Sequence, residues 1–166
     1  KVGAGTAEID FSVWPEDVEF PEARKGFGPN SIHDNPHARV LLLESNERVA
    51  LIALELVQIS GCLDDLKAAA SEALDVDEDH IWIHCTHSVV TPHSDGSELY
   101  TKIVADAIRE ASAQALESFQ DAVMGVAEGT CAINSNRNIT EPEGAHQVEG
   151  SRDTTFYSAP NVADVQ

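Results

Sequence analysis

Apolar residues recur along this chain at two spacings, every second residue and roughly every third or fourth, and the switch between them marks strands and helices. Residues 2–9 are small or β-favouring and predict a first strand. Residues 11–36 hold Pro15, Pro21, Gly26, Gly28, Pro29 and Pro36, too many breakers for an element interior, and read as a long loop. Two apolar segments, 38–43 and 48–57, flank Glu44-Ser45-Asn46-Glu47 and predict a hairpin. The second is nearly uninterrupted, as in a central strand covered on both faces. Leu63, Leu66, Ala69, Ala70 and Ala73 follow at helical spacing, with Asp64 and Asp65 in the first turn, so a helix ends near Leu74.

The run Ile81-Trp82-Ile83-His84-Cys85-Thr86-His87-Ser88 is apolar and β-favouring, then turns polar before the breaks at Thr91-Pro92 and Asp95-Gly96. It predicts a buried strand that delivers polar side chains to a loop at its carboxyl end, where open α/β sheets bind ligands. Leu99, Ile103, Ala107, Ala111 and Ala115 mark an amphipathic helix over 98–119. Residues 122–127 read as a further strand, and the stretch from Cys131 runs out into a polar loop. The order β, loop, hairpin, α, β, α, β specifies an α/β fold, a layered domain with a mixed β-sheet flanked by helices. That domain occupies residues 1–138. Residues 139–166 are a polar loop leading into a strand, and that strand is expected to continue in missing or separately cleaved polypeptide.

Charge narrows the partners. With 29 acidic against 10 basic residues among 166, the formal charge of −19 repels phosphate backbones, and nucleic acid is excluded as a partner. No apolar run approaches the ~20 residues that cross a bilayer, so no transmembrane segment is expected. Three cysteines, Cys62, Cys85 and Cys131, make no disulfide framework and favour a reducing compartment, hence a cytoplasmic location. Self-association into a homo-oligomer is compatible with the sequence.

Chemistry concentrates around the 81–88 run. Strand alternation would put Cys85 and His87 on the face of Ile81 and Ile83, with Trp82, His84 and Thr86 opposite. With His93 from the loop, Cys85 and His87 could supply three positions of an open tetrahedral zinc site. The alternative is a small buried cysteine among hydrogen-bonded histidines. Glu55, a carboxylate near the end of an apolar strand, is either paired structurally or part of a site. The long loop ends in Ser31-Ile32-His33-Asp34-Asn35-Pro36-His37, whose polar side chains have no evident packing role and are expected at the same pocket.

Several of these stretches resemble, in order, the neutral/alkaline non-lysosomal ceramidases and their bacterial relatives. Gly5-Thr6-Ala7-Glu8-Ile9-Asp10 looks like the family's opening strand, and Ile32-His33-Asp34-Asn35-Pro36-His37-Ala38-Arg39-Val40 its Gly-Ile-His-Asp-Pro-Leu-x-Ala-Arg-Ala segment. The strand ending Leu54-Glu55-Leu56 is similar to one ending in Asp-Leu, Thr86-His87-Ser88 to the close of Thr-His-Thr-His-Ser-Gly-Pro, and Asn136-Arg137 to an Asn-Arg pair. The resemblance spans residues 2–138. It implies zinc-dependent hydrolysis of an amide (C–N) bond in a small-molecule substrate, with His87 and Arg137 catalytic. His33, Asp34, Asn136 and Glu55 would then bind substrate. Cys85 stands where the family has a zinc-ligating histidine, and Val89-Val90 where it has Gly-Pro. The family's other ligands and its nucleophilic serine lie farther along, so activity is expected only with the downstream chain of the same precursor as partner. Two rivals remain. One is the alpha chain of a self-cleaving amide hydrolase whose nucleophile is the new amino terminus after Gln166. The other is a non-catalytic ceramidase-like module for binding or assembly.

Overall fold

Small residues on the first strand and large ones on the next two dictate how the layers of this protein meet. The structure, a computed structural model, describes residues 1–16, 32–94, 96–131, 138–141 and 144–147, the last two stretches as backbone. These residues fall into two compact units, Lys1–Val123 and Met124–Gln166.

The first unit is built on a four-stranded sheet of β1 (Val2–Glu8), β2 (His37–Glu44), β3 (Arg48–Leu54) and β4 (Ile81–Cys85), in that spatial order. The β1–β2 and β2–β3 pairs are antiparallel and β3–β4 is parallel. Two helices, α1 (Leu63–Leu74) and α2 (Glu98–Glu117), complete it. This is the α/β fold with a mixed sheet that the apolar spacing specifies.

Register gathers the inward side chains into three rows across the sheet. They are Gly3–Leu42–Ala50–Ile81, Gly5–Val40–Ile52–Ile83 and Ala7–Ala38–Leu54–Cys85. This face carries the core, shared with Leu66, Ala70 and Leu74 of α1 and with Tyr100, Val104, Ile108 and Ala111 of α2. Each fully buried Leu or Ile there contributes roughly 1.5–3 kcal/mol.

The taper to Gly3 and Gly5 on β1 admits the backbone of α2 itself. A side-chain carbon at Gly3 would lie 1.9 Å from the Ala115 carbonyl oxygen, and one at Gly5 would lie 2.0 Å from that of Ala111. At this range α2 also closes the outer edge of β1. The Ser118 hydroxyl accepts from the Ala4 amide at 2.9 Å and donates to the Ala4 carbonyl at 2.8 Å. The Gln114 side-chain oxygen accepts from the Thr6 amide at 3.1 Å, and Val2 and Gln120 exchange both backbone hydrogen bonds. Residues four apart on a helix share a face, so Gln114 and Ser118 reach the same strand.

The structure corrects four expectations. The strand 48–57 was expected to be covered on both faces, but Leu51 and Ala53 on the side away from the helices are only half-buried, because both helices pack on one face. The strand through His87 stops at Cys85 and is an edge strand, with Trp82 56% exposed. Residues 121–131 form neither strand nor helix, and Val123 is fully open to solvent. The pairing that starts at Val2–Gln120 is an isolated bridge, so the apolar pattern at 122–127 finds no neighbour among the described residues. In the second unit, the expected polar loop after residue 138 contains an antiparallel hairpin, β5 (Asn138–Glu141) with β6 (Gly144–Gln147). No described helix is long and apolar enough to cross a membrane.

Candidate functional site

Both helices begin at the carboxyl end of the parallel pair, α1 after β3 and α2 after β4, so the two connecting loops are neighbours there. Sequence chemistry accounts for their contact. Beyond the last ladder residues, the Thr86 amide donates to Leu54 O at 2.9 Å and the Ser88 amide to Leu56 O at 3.1 Å. Thr91 and Ser94, both buried, then bind the β3 loop. The Thr91 hydroxyl accepts from the Val57 amide at 3.2 Å, and that of Ser94 donates to Ser60 O at 2.7 Å. Tyr100, buried on α2, donates from its hydroxyl to Pro92 O at 3.4 Å. The Ser97 side chain accepts from the Tyr100 amide at 3.2 Å and caps α2 where the loop ends.

His87 is the exposed centre of this loop. Its φ is 62°, a left-handed conformation uncommon for a side chain with a Cβ and found disproportionately where a backbone serves a site. That turn ends the alternation which would have put Cys85 and His87 side by side. Cys85 keeps to the helix face with Ile81 and Ile83, half-buried against the core, and His87 stands in solvent. His93 is half-buried, its Nδ1 3.1 Å from Ser94 O.

Glu55 sits on the opposite, helix-free face, level with His37. Its carboxylate accepts from the His37 backbone amide at 2.8 Å, lies 3.0 Å from His37 Nδ1, and is hydrogen-bonded by Arg39 Nη1. Burial raises the Glu55 pKa, but the Arg39 and His37 hydrogen bonds and the Arg39 charge outweigh it and hold the carboxyl below its ordinary value. Of the two readings left open for Glu55, the geometry supplies the paired one.

His33 and Asp34 are almost fully exposed and bind each other at 2.6 Å. Among the described hydrogen bonds, neither joins Cys85, His87 or His93. The loop they close does have a packing role, carried by the neighbouring Asn35. Its amide donates to Glu8 at 3.3 Å and Asp10 at 3.2 Å, and its oxygen accepts from the Phe11 amide. Asn136 and Arg137 lie outside the described residues.

Zinc would need Cys85 as a thiolate together with His87 and His93. Burial, and then the neighbouring Cys62, push the Cys85 thiol up to about 11. Among the described residues no three His, Cys, Asp or Glu side chains form a group that could hold a metal ion. Cys85, His87 and His93 do not fit the ion.

No family model and no curated protein matches the chain. Solved structures do. The fold resembles that of ceramidases. Neutral ceramidase from Pseudomonas aeruginosa matches over 70% of this chain with a TM-score of 0.55 and 18% identity. A ceramidase complexed with C2 matches over 70% with a TM-score of 0.52 and 17% identity. In each case the chain spans 21% of the ceramidase's length. The likeness is one of fold.

Thr91 and Ser94 are the contributors that sequence reasoning missed. Their partners on the β3 loop are backbone groups 34 residues away, which no residue pattern announces.

Proposed function

We propose that the chain forms the opening part of a ceramidase-like hydrolase that cleaves the amide C–N bond of a small N-acylated molecule. The observation that carries this reading is the presentation of His87, an exposed imidazole on a left-handed backbone at the carboxyl end of a parallel pair, in a ceramidase-like fold. Amide cleavage needs two proton transfers, one from the attacking group as it adds to the acyl carbon and one to the departing nitrogen. An imidazole performs both near neutral pH, and His87 takes that role. Arg137 binds the acyl oxygen as it gains negative charge, its planar donors matching that oxygen in a way lysine cannot. His33, Asp34 and Asn136 hold the substrate's polar end. Glu55 acts indirectly, by fixing His37 and Arg39. The attacking group comes from further polypeptide, in keeping with a chain that spans 21% of the ceramidases it resembles.

The test is turnover of a panel of N-acyl amides by the full-length protein, read as released amine. His87→Ala should lower kcat about 100-fold or more with the melting temperature unchanged. Arg137→Lys should lower it roughly tenfold. Wild-type rates in His87→Ala would remove His87 from the chemistry.

The failure of Cys85, His87 and His93 to form a metal-holding group favours a second reading, a ceramidase-like binding module without catalytic equipment. Under it, no N-acyl amide is turned over, and such amides still bind.

A further inference from the structure

We infer that Thr91 is the positioning residue for His87, an assignment that rests on the reading of His87 as a catalytic group. His87 lies between two backbone anchors to the β3 strand and its extension, Thr86 N to Leu54 O and Ser88 N to Leu56 O. Those anchors fix where the chain enters and leaves residue 87. They do not fix which way it turns there, because an extended His87 could join the same anchors if the following turn shifted.

That turn is set by Thr91. Its amide donates to Ser88 O at 3.3 Å and its hydroxyl donates to the same oxygen at 2.8 Å, closing Ser88-Val89-Val90-Thr91 on itself. The hydroxyl oxygen also accepts from the buried Val57 amide, so a single group ties the turn to the β3 side of the sheet. Val89 and Val90 are exposed and β-favouring, and add nothing that would hold a turn. With the hydroxyl removed, the Val57 amide loses its acceptor and Ser88 O loses its shorter donor. The turn is then closed only by the longer Thr91 amide bond and is no longer tied to Val57, which is too little to offset the cost of the left-handed φ at His87.

Nuclear magnetic resonance on the chain, without substrate, reads this directly through the backbone couplings and Cβ shift of His87. In the unsubstituted chain they should report positive φ. Thr91→Val should return them to the extended range while the resonances of Val40 and Ile52 in the core strands stay in place. Thr91→Ser, which keeps the hydroxyl and loses the methyl, should restore the wild-type values. A left-handed His87 in Thr91→Val, or an extended one in Thr91→Ser, would overturn the assignment.

Should Thr91→Val fail to fold, hydrogen exchange of the Val57 amide in the unsubstituted chain decides instead. Protection comparable to the strand amides supports the assignment, and rapid exchange overturns it. Because none of these readouts needs turnover, an inactive protein with a Thr91-dependent His87 would defeat the proposed function and leave the positioning role standing.

Discussion

At the β1 edge of the sheet, the groups that would face solvent are taken up from α2 and just beyond it: Ala4 by Ser118, Thr6 by Gln114 and Val2 by the Gln120 backbone. At the β4 edge, no described strand pairs with Ile81–Cys85 on the side away from β3, and Trp82 and His84 stand exposed. An unpaired edge invites a further strand, and proteins ordinarily cover it. Among the described residues, one edge is therefore finished and the other is open. The candidate site lies with the second, since His87 follows β4 directly.

The sharpest way to break this comparison is Gly5→Ala. Its new carbon would meet the Ala111 carbonyl at 2.0 Å, and backbone cannot rotate aside as a side chain can. Denaturant titration should show a loss of about 3 kcal/mol, at the upper end for overpacking. A loss within about 0.5 kcal/mol would mean that α2 does not bear on β1 in solution.

A smaller effect is expected at Glu55, on the open face. Because its folded pKa is lowered, its contribution is complete above the ordinary glutamate value and is lost as pH falls through the lowered one. With its side chain 32% exposed, Glu55→Gln should cost only about 1 kcal/mol at neutral pH. The gap from wild type should close on acidification. A pH-independent gap would show that the charge is not what matters.

The smallest change belongs to Trp82→Thr at the open edge, a β-favouring replacement of an exposed side chain. The unfolding midpoint should move by no more than about 0.5 kcal/mol. A cost above about 2 kcal/mol would mean that something covers that edge.

Much of the fold was legible because it rests on period. The 98–119 pattern became Glu98–Glu117 since its Ala, Ile and Val positions face one core. The hairpin was legible too, but its register was not. Reading Glu44 as part of the turn hides that Glu44 pairs with Arg48, which in turn sets Arg39 against Ala53 and leaves Glu55 level with His37. The partners of Glu55 follow from that count alone. The site was less legible, because it depends on where regular structure stops. Alternation would have joined Cys85 to His87 had the strand continued; one left-handed residue separates them. The strand expected over 122–127 failed differently, since a continuous apolar run states a need for neighbours and cannot supply them.

The seal on β1 also has a consequence in time. Ala4 and Ser118 are separated by 114 residues, so β1 is completed by residues made only after the other three strands of its sheet. Closing so long a loop is entropically unfavourable until the helix and its partners are in place, which ties completion of the sheet to late, non-local contacts. Until Ser118 has left the ribosome, the amide of Ala4 and its neighbours remain an open template for any passing strand, and the nascent chain is aggregation-prone along β1.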